Sequence, residues 1–188
     1  AVWERRLGSQ LGYRWMVKAL ARLLDVAPDE EIVVSARNSL DAATYHALLA
    51  NDANLGASYA DDLFAVGECF DVSEWSMMLG GRPVYRLLRV ETFVELLLDT
   101  HESLDDALDV LGAEIDNAVA HGIVGLKSIA GYRCGLAFDA PTIDQRKRAN
   151  DQYRELRARL MAGQRGRVEQ KELVDTIVWT SLEHAAPQ

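Results

Sequence analysis

Apolar and polar residues follow two spacings along this chain, one typical of helices and one typical of strands. The first 50 residues follow the helical spacing, with an amphipathic stretch at 12–25. Pro28, with acidic residues after it, and Ser39-Leu40-Asp41 are typical of helix starts, so two more helices are predicted before residue 52. This N-terminal part is therefore predicted to contain no strand.

Three short apolar runs predict strands, at 54–60, 83–90 and 123–129. Strands that are connected through helices pair in parallel, so the pattern predicts an α/β fold with the three strands side by side in sequence order. Helices are predicted between and after the strands, at 72–79, 92–99, 103–121, 142–162 and 168–186.

The most informative chemistry lies where the third predicted strand ends in a lysine, Lys127, followed by Tyr132 and Arg133. A strand that delivers a lysine at its C-terminal end is typical of the active sites of α/β barrels. Lysine is rarely buried without a partner, because removing water from an ammonium group is costly. Lys127 is therefore expected to enter a cleft, to pair with a carboxylate, or to be chemically modified.

The other two predicted strands also end in charged residues. Arg89 and Glu91 are expected to share one strand face, because side chains alternate along a strand. Asp61 and Asp62 follow the first strand. These residues could hold a substrate carboxylate or another ligand, and a salt bridge at the sheet rim explains them equally well. The two aspartates could also cap the next segment.

The composition of the chain argues against some classes of function. The chain has 188 residues with 49% hydrophobic and 26% charged residues, which is typical of a soluble globular protein. A net charge of -9 argues against nucleic-acid and anionic-membrane partners, and no apolar stretch approaches the roughly 20 residues of a membrane span. With two cysteines, Cys69 and Cys134, and no signal-peptide pattern at its start, the chain is expected to be cytoplasmic.

The segment Gly125-Leu126-Lys127-Ser128-Ile129-Ala130-Gly131-Tyr132-Arg133 resembles the amidohydrolase superfamily. The resemblance is strongest to its branch of TIM-barrel metal-dependent hydrolases, which is related to the half found fused to glutamine-synthetase-like domains. It covers nearly the whole chain. The other matching segments are Tyr13-Arg14-Trp15, Asp52-Ala53-Asn54-Leu55, Arg89-Val90-Glu91-Thr92 and Leu173-Val174-Asp175.

The resemblance implies a fold and a function. The fold would be part of a (β/α)8 TIM barrel, about strands two to four, with a helical insertion at 1–52 and the partial barrel at 53–188. The function would be metal-assisted hydrolysis of an amide, ester or related bond of a small molecule. The residues implied for the site are Arg89, Glu91, Tyr132, Arg133 and Asp61 for substrate binding, and Lys127 as a metal ligand if it is carbamylated.

The histidines depart from the pattern of this superfamily, whose members usually bind metal through a His-x-His pair with further His and Asp residues. The sequence has no His-x-His pair. We therefore expect the chain to lack most of the metal ligands, to bind no transition metal tightly and to be inactive alone. A divalent metal, zinc first, is expected in a full-length parent. The four histidines are predicted in helices or at their ends: His46, His101, His121 and His184.

Alternatives remain open for Lys127 and for the chain as a whole. Lys127 could pair with Glu91, contact a substrate anion, or carry a carbamate as the resemblance implies. The chain could instead be a non-catalytic α/β module that assembles with a partner chain. A three-stranded piece of a barrel has two exposed edges, so we expect a homo-oligomer or a complementary barrel chain.

Overall fold

The structure, a computed structural model, describes residues 10–61, 63 and 70–186. The expectations for the first nine residues, Asp62 and Cys69 lie outside these residues. The chain divides into two compact units. The first consists of the described parts of Ala1–Ser58 and Phe70–Val84, and the second of those of Tyr59–Cys69 and Tyr85–Gln188.

Three of the four described helices of the first unit begin with an aspartate as N-cap. The side chain of Asp29 accepts hydrogen bonds from the backbone N–H groups of Glu31 and Ile32, and Asp41 accepts one from Thr44. Such caps satisfy backbone donors that have no partner within the helix. Helix α1 packs against α2 and α3, and α3 packs against α4. The helices are α1 (Leu11–Leu24), α2 (Glu30–Asn38), α3 (Ala42–Asp52) and α4 (Val72–Met78).

A small sheet positions the charged residues of the second unit. Its strands are β1 (Ser58–Ala60), β2 (Val84–Arg89) and β3 (Ile123–Lys127), in that spatial order. Strands β2 and β3 pair in parallel, as the sequence predicts. Their last residues, Arg89 and Lys127, lie opposite each other.

An irregularity in β3 sets the direction of its side chains. Arg86 lies opposite Ile123, but the next residue, Leu87, lies opposite Gly125, so Val124 has no counterpart. This is the pattern of a β-bulge, in which one extra residue shifts the alternation of side chains. Ile123 before the bulge belongs to the hydrophobic core, and Lys127 after it points to the other face together with Arg89.

Four helices build the core of the second unit. Helix α8 packs against α5, α6 and α7, and its residues from Leu173 to Val178 are buried. It is therefore the central helix of this unit. The helices are α5 (Val90–Leu96), α6 (Leu104–Asp116), α7 (Ile143–Met161) and α8 (Lys171–Ala185), with a short 3₁₀ turn at Ala130–Tyr132.

The prediction that the chain is part of a (β/α)8 barrel is wrong. The described residues are mostly helical, and their strands form a small open sheet of three. Three strands cannot close on themselves. Hydrophobic periodicity located the strands, whereas the barrel was inferred from the resemblance to the amidohydrolase superfamily. Within the described residues, no helix combines the length and the apolar character needed to cross a membrane.

Leu111 tests the helical core. We expect Leu111→Ala to lower the free energy of unfolding by about 2–5 kcal/mol, because the side chain is fully buried between packed helices. Urea unfolding followed by circular dichroism measures this change. The control is Leu96→Ala on the exposed face of α5, for which a change below about 0.5 kcal/mol is expected. Equal effects of the two substitutions would contradict the assigned core.

Tyr153 makes the free energy of unfolding of the second unit depend on pH in the alkaline range. Its hydroxyl donates to the carbonyl oxygen of His101 at 3.1 Å, and burial raises the pKa of Tyr153 from 10.0 to about 12. A raised phenol pKa stabilises the folded state fully below pH 10, and this contribution is lost as the pH rises through about 12.

We expect about 3 kcal/mol of stability to disappear over this pH range in the native chain. Tyr153→Phe should remove this part of the pH dependence, as measured by urea unfolding at pH 9, 10, 11 and 12. Tyr132→Phe is the control, since the Tyr132 ring is exposed. The assignment fails if the difference in stability between the native chain and Tyr153→Phe is constant with pH.

Candidate functional site

Three charged side chains meet at the C-terminal end of the sheet. Asp61 follows β1, Arg89 is the last residue of β2, and Lys127 is the last residue of β3. Arg89 Nε donates to Asp61 Oδ2 at 2.7 Å, and Arg89 Nη2 contacts the same oxygen. Lys127 Nζ lies 2.7 Å from it. We call Asp61, Arg89 and Lys127 the strand-end cluster.

The three members of the strand-end cluster differ in exposure. The side chains of Arg89 and Asp61 are 7% and 10% exposed, whereas that of Lys127 is 40% exposed. One carboxylate therefore faces two cations, one buried and one accessible. Lys127 is the member of the cluster that an external molecule can reach.

The two carboxylate oxygens of Asp61 differ in their contacts. Both cations bind Oδ2, and Oδ1 is buried with no hydrogen-bond partner among the described residues. A buried acceptor without a partner costs about 1–3 kcal/mol. The three charge-assisted contacts on Oδ2, from Arg89 Nε, Arg89 Nη2 and Lys127 Nζ, offset this cost and hold the carboxylate in one orientation.

Glu91 shapes the turn after β3 instead of pairing with Lys127. It is fully buried and accepts hydrogen bonds from Ser128 Oγ at 2.5 Å and from the backbone N–H of Ile129 at 3.1 Å. Because β2 ends at Arg89 and α5 begins at Val90, Arg89 and Glu91 do not share a strand face as the sequence predicted. The carboxylate that contacts Lys127 is that of Asp61.

Arg133 is buried in a separate group of contacts. Its side chain is 4% exposed, and its Nη1 lies 2.8 Å from Glu95 Oε1 and 2.6 Å from the carbonyl oxygen of Val168. Tyr132, directly before it, is 91% exposed. Arg133 thus links α5 to the segment before α8. The predicted roles of Tyr132 and Arg133 in substrate binding stay predictions.

The sequence reasoning missed Ser128 and Glu95. Ser128 binds Glu91 and also accepts a hydrogen bond from the backbone N–H of Ala130, so it links the buried carboxylate to the turn. Glu95 binds both Arg133 and the backbone N–H of Val168. One signal was available in the sequence, because Glu91 and Glu95 are four residues apart and so lie on one face of a helix.

The histidines do not contribute to the strand-end cluster. His121 Nδ1 lies 2.9 Å from Glu114, and His184 Nδ1 lies 3.0 Å from Asp116. His46 is in the first unit, where its ring contacts the Trp75 ring. His101 Nδ1 lies 2.9 Å from Thr100 Oγ1 and forms a hydrogen bond with it. Each imidazole thus has a partner away from the strand-end cluster.

The described residues do not fit a divalent metal site. They contain no group of three or more His, Cys, Asp or Glu side chains arranged to hold an ion. At the strand-end cluster, the carboxylate of Asp61 already faces the two cations Arg89 and Lys127, which would repel a metal ion. Cys134 is not an activated thiolate either, because burial raises its pKa.

An open groove of about 690 Å³ runs along β3 at its N-terminal part. It is lined by the ends of α6 and α8, and its walls are mainly apolar. The pair His184 and Asp116 lies at its border. The groove involves none of the three residues of the strand-end cluster.

The similarity to known proteins is one of fold. No family model matches the chain, and no curated protein matches it. A solved structure from Lactobacillus casei ATCC 334, that of a candidate metal-dependent hydrolase, matches 94% of this chain with a TM-score of 0.73 and 22% sequence identity. The match spans 44% of the length of that protein. The two proteins therefore share a fold over this region.

Arg133 and Arg148 allow a matched test of the buried ion pair. We expect Arg133→Met to lower the free energy of unfolding by about 3–5 kcal/mol, because it leaves the Glu95 carboxylate without its cation. Arg148→Met breaks a solvent-exposed pair with Glu172 and should cost less than about 1 kcal/mol. Urea unfolding measures both values. Similar losses in the two variants would show that the Arg133 pair is not buried in solution.

Proposed function

We propose that this chain is part of a metal-dependent hydrolase of the amidohydrolase type, acting on an amide, ester or related bond of a small molecule. The observation that carries the proposal is the shared fold with the candidate metal-dependent hydrolase from Lactobacillus casei. The resemblance of the segment 125–133 to the amidohydrolase superfamily supports it further.

In this proposal the chain supplies substrate binding. Lys127 offers its ammonium group at the accessible side of the strand-end cluster, and Arg89 with Asp61 fixes its position from the buried side. Glu91 and Ser128 hold the turn that follows Lys127. Rigid strand ends and buried hydrogen bonds are the usual means of fixing such side chains.

The metal would be held by residues outside those described, since the strand-end cluster does not fit it. Those residues could belong to a longer product of the same gene. They could also belong to a partner chain or a second copy. The chain spans less than half of the solved structure that it resembles, which leaves room for either source.

The same length comparison favours a second candidate function, a non-catalytic α/β module that assembles with a partner chain. In that case Lys127 and Arg89 would have a structural role at the sheet end. The two candidates differ in what the assembled protein does with metal and substrate, so one pair of measurements separates them.

The test compares the 188-residue chain with a longer product of its coding sequence. We expect the longer protein to bind a divalent metal near stoichiometrically and to hydrolyse amide or ester substrates, with the 188-residue chain doing neither. Elemental analysis and a panel of chromogenic amides and esters measure this. Lys127→Gln should lower kcat/KM at least tenfold, and Lys147→Gln on the exposed face of α7 is the charge-matched control.

The hydrolase proposal is contradicted if the longer protein contains no metal and hydrolyses none of the substrates. Light scattering then decides the second candidate, because a module that assembles must appear as an oligomer or as a complex with its partner. Stoichiometric zinc in the 188-residue chain alone would show that the ligands lie within this chain, in contradiction of the proposed division of roles.

A further inference from the structure

We propose that helices α6 and α7 form the interface of a homodimer, in which an acidic face of α6 in one copy docks against a basic stripe of α7 in a second copy. Opposite charges on these two neighbouring helices, together with two exposed apolar side chains within the basic stripe, support this interface. It would form with or without hydrolytic activity, so it goes beyond the proposed function.

Helix α6 is acidic on its exposed side. It carries five aspartate or glutamate residues and no lysine or arginine. Asp105 and Asp109 are exposed and four residues apart, and neither has an ion-pair partner within the described ranges of the chain. Like charges at this spacing repel each other, so a cation from outside the helix would relieve the repulsion. We call Asp105 and Asp109, with the exposed Ala113 one turn further on, the acidic face.

Helix α7 separates its charges onto two sides. It carries six arginine or lysine residues and three acidic ones. Lys147 and Arg154 follow Ile143 at intervals of four and seven residues, and Met161 comes seven residues later, so these four lie along one side of the helix. We call them the basic stripe. The acidic residues of α7 follow a different side of the helix: Asp144, Asp151 and Glu155.

The basic stripe lies on the side of α7 that is next to α6. Asn150 and Arg157, each four residues before a member of the stripe, both contact the start of α6. Asn150 Oδ1 accepts a hydrogen bond from the backbone N–H of Leu104 at 3.3 Å, and Arg157 Nη2 lies 4.0 Å from Glu102. The acidic face and the basic stripe therefore belong to neighbouring helices of the same unit.

Two apolar side chains make the basic stripe unusual for a helix surface in water. Ile143 is 88% exposed and Met161 is 54% exposed, and they flank the two cations. Lys147 and Arg154 are exposed and have no ion-pair partner among the residues that the structure describes. Exposed ion pairs alone contribute little to an interface, so the burial of Ile143 and Met161 would supply the apolar part of the binding energy.

A second copy of the chain is the partner that these charges favour. A two-fold axis that runs between α6 and α7 places the acidic face of each copy opposite the basic stripe of the other, so each contact occurs twice. A nucleic acid would meet the acidic face beside the stripe, and the net charge of -9 would repel it.

The experiment reverses one charge on each helix. Sedimentation equilibrium of the native 188-residue chain, up to about 0.5 mM because few ion pairs give a weak dimer, should show monomers and dimers in equilibrium. Asp109→Arg and Arg154→Asp should each raise the dissociation constant of the dimer at least tenfold, because two pairs of like charges then face each other. Circular dichroism checks that each variant is folded.

Two exposed positions outside the interface provide matched controls. Arg159→Asp makes the same change on α7, five residues after Arg154 and therefore on a different side of the helix. Asp139→Arg makes the same change as Asp109→Arg in the segment before α7. Both controls should leave the dissociation constant unchanged.

Mixing the two interface variants separates lost complementarity from damage to the fold. In an equimolar mixture of Asp109→Arg and Arg154→Asp, the two reversed charges face each other, and so do the two native ones. We therefore expect a heterodimer whose dissociation constant is within threefold of that of the native dimer. A variant that had merely lost its structure would not recover on mixing.

Three results would overturn the proposal: a native chain that is monomeric over the whole concentration range, a dimer that neither reversal weakens, or a mixture that does not recover. The second result would mean that the copies assemble through another surface. Failure of the hydrolase proposal is a separate result, since it is decided by metal content and turnover of the longer protein.

Discussion

One oxygen atom of Asp61 ties together the ends of all three strands. Arg89 from β2 and Lys127 from β3 both contact Oδ2 of a residue that follows β1. A buried guanidinium group is costly unless it is paired, so the position of Asp61 is constrained by the burial of Arg89. The accessible ammonium group of Lys127 in turn depends on Asp61, and this makes the site a consequence of how the sheet end is packed.

The core behind the sheet gives this arrangement its rigidity. Helix α8 packs against α5, α6 and α7, and α5 begins directly after Arg89. Glu91 and Glu95, one helical turn apart on α5, bind the Ser128–Ile129 turn and Arg133. The short helix thus anchors both ends of the segment that follows Lys127, through buried charges on one face.

Local patterns in the sequence predicted the elements well, and the tertiary contacts poorly. The strand at 83–90 is β2, and the helix at 142–162 is α7, because apolar spacing and capping residues such as Thr142 act locally. Glu91 was misplaced on a strand because the apolar run continues through Val90, where the chain turns into α5.

The partner of Lys127 could not be predicted in the same way. Asp61 lies 66 positions before it in the sequence, and only the pairing of the strands brings the two together. The apolar runs predicted the three strands, whereas the barrel was inferred from the resemblance to the amidohydrolase superfamily, whose most specific part is a nine-residue segment that says little about where a sheet ends. Buried ion pairs such as Arg133 with Glu95 depend on helix packing, which periodicity does not specify.

Because of the bulge at Val124, the number of residues in β3 matters more for the fold than the identity of each side chain. Ile123 and Leu126 both face the core although they are three residues apart, and the extra residue between them reconciles this with an alternating strand. Without it, Lys127 would fall on the same face as Ile123 and bring an ammonium group into the apolar core. A substitution in this strand should therefore be tolerated better than the insertion or deletion of one residue. An insertion or deletion would exchange the core-facing and outward-facing positions of β3 that follow it.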